Sequence, residues 1–375
     1  MMSDTLGVIY TGDNDFLLQE LTQKRGIASM PIHARYRVID FFLSNLVNSG
    51  VRNFGIITQK NYHSLMDHVA GGREWDLNRK RDGLFILPPY MSRENTGTYS
   101  GYVDALRGIQ TYLRKSSQKY LVFCDSTILY KIDFRPMMEY HLSKKADITV
   151  MYWHADEELI KEMNSPVILD VARGGRVRSV QINPVHPQGP RVMTGTFIVD
   201  KNLISYLVDA AISGGETSFA QGILMHNLER LRIYGYRHYG YVAPLHSTQQ
   251  YFKSCMDILD DKIRAELFRD EQAPIFTKVR DEMPTRYLKG GSAVNSSLAD
   301  GCEIAGSVED SVLFRGVKIG RGATIKNSII FQDCEVQDGV TLENVILDKD
   351  CIIRAGRTLI GQPSYPVVIA KGAVI

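Results

Sequence analysis

A polar loop near the start of the chain directly follows a short apolar run, which is where phosphate-binding loops occur in many proteins. Leu6–Tyr10 is predicted to form a buried strand, and the residues after it read TGDND. Many α/β proteins place a glycine-rich loop here, because backbone N–H groups at a helix N-terminus bind phosphate. In this chain Gly12 is the only glycine of the loop, and the carboxylates of Asp13 and Asp15 would repel a phosphate. We therefore favour a solvated turn over a working phosphate loop.

Strand-like and helix-like segments alternate up to about residue 245. The predicted strands read LGVIY, NFGIIT (53–58), GLFILPPY (83–90), YLVFCD (120–125) and ADITVMYW (146–153), and helices are predicted over 40–50, over 101–116 and from Phe16 onward. This alternation predicts an α/β domain with a mainly parallel, doubly wound, Rossmann-like sheet over residues 1–245. Ligands bind beyond the carboxyl ends of such strands, so the first loop, the segment after Asp125 and the loop around 91–101 should face one cleft.

The pattern changes in the last third of the chain. Residues 246–289 are predicted to be a helical connector, with one helix over STQQYFKSCMDILDDKIRAELF. From residue 290 to 375, glycines recur between small aliphatic residues, and several aliphatic residues lie six apart: Leu298 and Ile304; Ile319 and Ile325; Ile330, Val336 and Leu342; Ile346 and Ile352. A six-residue period predicts a parallel β-helix of hexapeptide repeats, for which we expect the left-handed form. A β-sandwich would instead show period-two strands.

Composition and charge narrow the function. Hydrophobic residues make up 44% and charged residues 23% of 375 residues, as in soluble globular proteins of two domains. A net charge of +2 gives no reason to expect a nucleic-acid partner. Without a membrane-spanning apolar run or a signal-peptide pattern, we expect a cytoplasmic protein that does not contact membranes. Five cysteines without a C-x-x-C pair are expected to be buried, reduced thiols.

Several long motifs resemble one family closely. The segment LTQKRGIASMPIHARYRVIDFFLSNLVNSGVRNFGIITQ, followed by GLFILPPY, YKIDF, DSVLFRGVKIG and NVILDKDCIIRAG, is similar to bacterial glucose-1-phosphate adenylyltransferases over nearly the whole chain. The resemblance implies a nucleotidyltransferase domain followed by a C-terminal β-helix. Members of this family form ADP-glucose and pyrophosphate from ATP and glucose 1-phosphate with Mg²⁺, for glycogen synthesis.

The catalytic positions implied by the resemblance are changed in this chain. The family loop G-G-x-G-x-R-L falls on Gly12 to Leu18, which places Leu17 at its arginine. The family's metal-binding carboxylates fall on Thr127 and Pro244, neither of which can hold Mg²⁺ as a carboxylate does. Asp125 could replace the first carboxylate only if its loop is re-routed. We therefore expect no catalytic residue, no bound metal and no cofactor in this chain.

The sugar-phosphate pocket is also degenerate on this alignment. Asn183 and its neighbour Ile182 stand where the family has lysine and glutamate. The segment TYSGYVDA keeps Tyr99, Gly101 and Asp104 of the family motif. Tyr102 in the same segment replaces a small threonine, so that its ring is expected to fill part of the cleft.

These changes together resemble a non-catalytic companion subunit of the family. The implied partner is a catalytic glucose-1-phosphate adenylyltransferase subunit, in a homo- or hetero-oligomer such as a heterotetramer whose activity this chain regulates. Three alternatives stay open, namely a weakly active enzyme that uses Asp125, a sensor of sugar phosphates or nucleotides, and a β-helix acyltransferase. The acyltransferase is disfavoured because it needs a histidine base on the β-helix and the last histidine is His246.

A set of arginines is a candidate site for an anionic effector. The resemblance places Arg35, Arg37 and Arg52 in the region where the family binds sugar-phosphate or nucleotide regulators. Arg354 and Arg357 of the β-helix could complete an anion site across the domain boundary. The alternative is that these arginines pair with carboxylates or lie on the surface.

Overall fold

The computed structural model describes residues 2–12, 15–80, 82–89 and 98–375, with Asp15 described by its backbone alone. Asp13 and the residues 91–97 of the predicted cleft loop therefore lie outside the described residues. The strands before the β-helix are β1 (Thr5–Tyr10), β2 (Pro31–Ile32), β3 (Tyr36–Arg37), β4 (Asn53–Ile57), β5 (Gly83–Leu87), β6 (Tyr120–Asp125), β7 (Ile128–Tyr130), β8 (Ile148–His154), β9 (Val167–Val171), β10 (Val177–Ile182), β11 (Arg191–Asp200), β12 (Ile233–Arg237) and β13 (Val242–Pro244).

Helices cover the central sheet and lead into the C-terminal domain. The α-helices are α1 (Val38–Asn48), α2 (His63–Val69), α3 (Tyr102–Gly108), α4 (Gln110–Lys115), α5 (Phe134–Ser143), α6 (Glu157–Glu162), α7 (Lys201–Ser213), α8 (Thr248–Met256) and α9 (Asp261–Phe268). Short 3₁₀ segments span Met2–Asp4, Asp15–Thr22, Ile27–Ser29, Arg73–Trp75 and Asp257–Leu259, and a π-helix spans Phe219–Met225. No helix within these described ranges is long and apolar enough to cross a membrane.

The central sheet is mainly parallel, as predicted, but two of its nine described strands, β10 and β11, run in the opposite direction. Its order is β10-β9-β11-β6-β1-β4-β5, with β8 beside β11 and β12 beside β8. The strands β5, β4, β1 and β6 run parallel, but β11 is antiparallel to both β6 and β8. Strands covered on both faces read as continuous apolar runs whichever way they run, so the sequence did not reveal the reversal. The Rossmann-like, doubly wound architecture itself is confirmed.

Three predicted helices differ from the observed ones. The helix predicted from Phe16 is a 3₁₀ segment interrupted at Gln19, whose φ is 44°. The helix over 101–116 is divided into α3 and α4 at Ile109. The connector helix is divided into α8 and α9, because the Asp260 carboxylate accepts hydrogen bonds from the backbone N–H groups of Lys262 and Ile263 and so begins a new helix.

The C-terminal domain is a left-handed parallel β-helix, as predicted. One sheet contains β14 (Arg286–Tyr287), β17 (Glu303–Ile304), β20 (Lys318–Ile319), β23 (Glu335–Val336) and β26 (Ile352–Ile353). A second contains β15 (Ser292–Val294), β18 (Ser307–Glu309), β21 (Thr324–Lys326), β24 (Thr341–Glu343) and β27 (Thr358–Ile360). The third contains β16 (Ser297–Leu298), β19 (Val312–Leu313), β22 (Ile329–Ile330), β25 (Val345–Leu347) and β28 (Val367–Ile369).

Side chains inside the β-helix form a core of their own, and the predicted six-residue pairs mostly belong to it. Ile330, Val336 and Leu342 are buried there, but Ile346 faces the N-terminal domain and Ile352 is only half buried. Their neighbours Leu347 and Ile353 are the inward residues of that coil. The prediction for this last pair is therefore wrong by one residue.

The two domains share one hydrophobic core. Phe314 and Phe331 point out of the β-helix and are buried in the same cluster as Tyr251 of α8. The Phe331 ring meets the Tyr251 ring edge-on, with centroids 6.4 Å apart. The five cysteines are free and buried, as expected.

Candidate functional site

A cleft of about 280 Å³ lies at the carboxyl end of β6, where the sequence predicts the ligand site. Gly195 of β11 belongs to its wall and adopts a φ of 75°. A β-carbon at this position would lie 2.7 Å from the Asp125 β-carbon and 2.8 Å from the Tyr102 hydroxyl. Glycine thus allows three elements to approach one another closely at this point of the cleft.

Asp125 is the acid of the cleft, and both of its carboxylate oxygens accept hydrogen bonds from the protein. Thr127 N donates to Oδ1 at 2.9 Å, and the Tyr102 hydroxyl donates a short hydrogen bond to Oδ2. Burial raises the pKa of Asp125, while these hydrogen bonds act to lower it. Burial and the neighbouring carboxylate raise the pKa of Tyr102, so that the phenol keeps its proton. The Tyr102 side chain therefore covers the carboxylate.

The strands β7 and β13 bring the two predicted metal positions together at the cleft. Pro244 pairs with Ile128 across this antiparallel ladder, and Leu245 N donates to the Thr127 carbonyl at 2.8 Å. A threonine and a proline thus lie one position apart in the pairing of adjacent segments, where the family resemblance implies two carboxylates. Neither side chain offers an anionic oxygen to a cation.

The cleft has little positive charge to offer a phosphate. No lysine or arginine lines it within the part of the chain that the structure describes. Burial lowers the pKa of His246 to about 4, so its imidazole is neutral at pH 7. Leu17 adds an aliphatic side chain to the wall. The electrostatics of these described residues do not favour a bound polyphosphate.

A buried ion pair joins the two domains. Arg25 Nη2 donates to both carboxylate oxygens of Asp348, at 2.6 and 2.7 Å. The Arg25 and Asp348 side chains are 4% and 2% exposed. Because the partners are 323 residues apart along the chain, no local pattern in the sequence marks them as a pair.

Further cations gather around this ion pair. Burial lowers the pKa of Lys349 from 10.5 to about 7, with contributions from Arg37 and Arg25. Burial lowers the pKa of Arg37 to about 10, and Arg280 is among the charges acting on it. Arg35 and Arg280 likewise act with burial to lower the pKa of Arg315. We call the set of linked cations the junction cluster: Arg35, Arg37, Arg280, Arg315 and Lys349.

Two family profiles match the chain. The nucleotidyl transferase family matches residues 7–232, and the GlmU-like C-terminal hexapeptide family matches residues 282–364. The glycogen biosynthesis protein GlgD of Geobacillus stearothermophilus is 35% identical over 87% of this chain and 84% of its own length. The protein of the same name from Bacillus subtilis (strain 168) is 32% identical over 85% and 82%.

Relatives named as enzymes match almost as well. The glucose-1-phosphate adenylyltransferase of Thermotoga maritima is 31% identical over 86% of this chain and 77% of its own length. This chain belongs to the glucose-1-phosphate adenylyltransferase family. Since relatives of both names match at similar identity, the percentage identity does not show which of the two this chain resembles in its cleft.

The Mg²⁺ ion that the family's reaction uses does not fit the cleft residues of this adenylyltransferase family member. Among the described residues, no group of three or more histidine, cysteine, aspartate or glutamate side chains could hold a metal ion. Asp125 stands alone as an acid in the described cleft lining, and its oxygens accept from Thr127 N and Tyr102. A hard divalent cation prefers several oxygen ligands, which this arrangement does not provide.

The residues predicted to form a degenerate substrate pocket are only partly brought together. Gly101 lines the cleft, whereas Gly12, Tyr99, Asp104 and Asn183 do not. Tyr99 is buried, with its backbone bonded to the Gln59 side chain. The Asp104 carboxylate accepts from Ser100 N at 3.2 Å, and Asn183 is exposed in a turn with a φ of 47°. Of these five positions in this family member, Gly101 alone belongs to the described cleft lining.

The predicted effector arginines also separate in space. Arg37 caps the start of α1 and Arg52 follows its end, so that 11 helical residues, roughly 16 Å, lie between them. Arg354 and Arg357 are exposed on the β-helix. That they complete an anion site across the domain boundary therefore stays a prediction.

Replacing Tyr102 tests whether the phenol holds the cleft acid. In Tyr102→Phe, the buried carboxylate of Asp125 loses a donor, and we expect a loss of about 1–3 kcal/mol in the free energy of unfolding. The pKa of Asp125 should rise further, because the lost hydrogen bond acts to lower it. Urea unfolding and carboxylate NMR titration measure the two effects. The control Tyr206→Phe changes an exposed ring, and equal effects of both changes would contradict the assignment.

Proposed function

We propose that this chain is a non-catalytic regulatory subunit of glucose-1-phosphate adenylyltransferase in glycogen biosynthesis. It would assemble with a catalytic subunit and modulate the conversion of ATP and glucose 1-phosphate into ADP-glucose and pyrophosphate. The observation that carries the proposal is the cleft, where Thr127 belongs to the lining, Pro244 pairs with the adjacent Ile128 and Tyr102 covers Asp125. With Asp125 as the single acid of its described lining and no lysine or arginine there, the cleft lacks the groups that hold Mg²⁺ and bind phosphate in phosphoryl chemistry.

Initial rates of ADP-glucose formation with Mg²⁺ test the proposal. They are measured for this chain alone, for a catalytic family member of the same organism alone, and for their mixture. We expect the isolated chain to be at least about 1,000-fold slower than the catalytic subunit, because losing roughly 4 kcal/mol of transition-state stabilisation has that effect. The mixture should differ from the catalytic subunit in rate or effector response and should sediment as a heteromer. Fast turnover by this chain alone would contradict the proposal.

We further propose that the junction cluster is where an anionic effector acts. Regulation requires a ligand that binds two states of the assembly unequally, and a site between domains can distinguish two domain arrangements. The cluster adjoins the Arg25–Asp348 pair, and the Arg315 Nε atom is buried without a hydrogen-bond partner among the described residues. Arg37 donates to the Ser64 carbonyl and hydroxyl, at 2.6 and 3.0 Å, and thereby keeps its guanidinium in place.

Binding of an anion at this cluster should be coupled to proton uptake. Without a ligand, Lys349 has a pKa of about 7 in the folded chain, whereas an ordinary lysine has a pKa of 10.5. Between pH 7 and pH 10.5 the unfolded chain therefore binds more protons at this lysine than the folded chain, so the free energy of unfolding rises with pH in this range. A sulfate ion would favour the ammonium form and raise the pKa again. At pH 7.5 we expect roughly half a proton or more to be taken up, measured by titration calorimetry in buffers of different ionisation enthalpy. Lys349→Met should abolish the uptake and Lys318→Met, on an exposed strand, should leave it; uptake unaffected by Lys349→Met would contradict this site.

A further inference from the structure

A second cavity, of about 480 Å³, lies between β8, β12 and the turn that joins β9 to β10. It shares no lining residue with the cleft described above. The volume falls within the range of about 300–1,000 Å³ that is typical of small-molecule sites. Neither the catalytic chemistry of the family nor the junction cluster accounts for it.

The lining of this cavity is strongly basic. Lys144, Arg173, Arg191 and Arg237 line it, and no aspartate or glutamate does so among the described residues. Arg191 has a carboxylate nearby, with 3.6 Å between its Nη1 atom and Asp170 Oδ1. Within the described ranges, the other three cations have no carboxylate within 4.0 Å. Uncompensated cations converging on a cavity create a positive potential that attracts anions.

Arg237 is held at the cavity with unused hydrogen-bonding capacity. Its Nε atom is buried and has no hydrogen-bond partner in the part of the chain that the structure describes. The guanidinium carbon lies 4.5 Å from the centroid of the Tyr239 ring, within the range of a cation–π contact. Burial lowers the pKa of the nearby His154. The positive charges of Arg237 and Arg191 lower this pKa further, because they disfavour the imidazolium form.

Tyrosine rings and a glycine turn complete the cavity. Tyr239 is 81% exposed although it lines the cavity, so its ring is accessible to a ligand. In the turn, Gly175 adopts a φ of 89°, and a β-carbon there would lie 1.9 Å from the Tyr140 hydroxyl. A β-carbon on Gly174 would meet no atom within 4 Å, so the backbone of this turn is open to an approaching group. Glycines in such a turn permit close contact between backbone and ligand.

We propose that this cavity binds a nucleoside phosphate. Lys144, Arg173 and Arg237, which have no carboxylate partner among the described residues, match the charge of a phosphate or diphosphate group, for which arginine provides several donors in a fixed geometry. The exposed Tyr239 ring offers a flat surface on which a base can stack. This site goes beyond the proposed function, since it requires neither catalysis nor assembly with another subunit.

Titration calorimetry with ADP on the full chain tests the site with two matched pairs of variants. Arg173→Gln removes an exposed cation of the cavity, whereas Arg178→Gln removes an exposed arginine that does not line it. We expect the Kd for ADP to rise at least about tenfold in the first variant, because charge-assisted hydrogen bonds are lost, and to be unchanged in the second. Tyr239→Ala should weaken ADP binding and Tyr206→Ala, another exposed tyrosine, should not. An ADP affinity that is unchanged in Arg173→Gln would overturn the proposal, because ADP would then bind elsewhere.

Smaller probes separate the parts of the ligand. Adenosine and inorganic phosphate should each bind more weakly than ADP, since each uses only half of the site. Glucose 1-phosphate binding as tightly as ADP would overturn the assignment to a nucleoside, because a sugar phosphate would then suffice. In the wild-type chain, ADP should raise the pKa of His154 measured by NMR, because an anion favours the imidazolium. A His154 pKa unaffected by saturating ADP would count against the proposal.

Discussion

Asp348→Asn is expected to lower the free energy of unfolding by about 3–5 kcal/mol, since it leaves the buried guanidinium of Arg25 without its counter-charge. The double variant Arg25→Met/Asp348→Leu should lose much less, because apolar side chains of similar volume avoid the cost of burying two charges. Urea unfolding followed by the fluorescence of Trp75 and Trp153 measures both. The comparison separates the penalty of an unpaired charge from the worth of the pair.

The surface pair Lys161–Glu157 provides the control for this experiment. Both side chains are mostly exposed, at 59% and 69%, although their atoms approach to 2.7 Å. Breaking an exposed pair typically lowers the free energy of unfolding by less than about 1 kcal/mol. If Asp348→Asn were no more destabilising than Glu157→Gln, the ion pair between the domains would not contribute as its burial indicates. If Asp348→Asn lowered the free energy of unfolding by an intermediate amount and also changed the affinity for an anion, the ion pair would be linked to the junction cluster.

Phe331→Ala should weaken the attachment of the β-helix to the N-terminal domain. The Phe331 ring is fully buried, between Phe314 at 5.1 Å and Tyr251 at 6.4 Å between centroids. Removing a buried phenylalanine typically costs about 3–5 kcal/mol through lost burial and the cavity that remains. Unfolding curves from tryptophan fluorescence and from far-UV circular dichroism should then no longer coincide, because both tryptophans lie before the β-helix. Proteolysis in the segment 269–285 should accelerate.

Ile330→Ala is the matched comparison for Phe331→Ala. Ile330 precedes Phe331 but points into the β-helix, where it belongs to the inner core. Its truncation should destabilise the β-helix itself, so that the circular-dichroism transition moves while the fluorescence transition changes less. If both substitutions produced the same pair of curves, Ile330 and Phe331 would not belong to separate cores.

These two experiments bear on how the proposed regulation would operate. The junction cluster lies beside the Arg25–Asp348 pair, and the Phe331 contact belongs to the core that joins the domains. An anion that binds between the domains can shift the equilibrium of an assembly only if its affinity differs between two arrangements. Variants that loosen the domain contact should therefore alter the effector response of a mixture with a catalytic subunit, even though the cleft is untouched.

The sequence determined most of the elements and the chemical character of the cleft. The apolar runs of β1, β4, β6 and β8 predicted strands because burial of a strand requires apolar side chains over its length. The six-residue period predicted the β-helix, because every coil must turn at fixed intervals to stack on its neighbour. The alignment of motifs placed Thr127 and Pro244 at the two carboxylate positions, and the pairing of β7 with β13 brings them together.

Only the tertiary structure decided which charged side chains meet. Arg25 and Asp348 pair across 323 residues, and Arg52 is separated from Arg37 by α1, although both arginines lie in one sequence motif. Local patterns report burial and periodicity, which depend on neighbours along the chain. Ion pairs between distant residues depend on how the elements that carry them pack together. The same holds for the Tyr102 side chain that covers Asp125 and for the basic cavity at Arg237. The sequence therefore determined that carboxylates are missing from the family's metal positions, whereas the packing of distant elements decided where the lysine and arginine side chains of the chain come together.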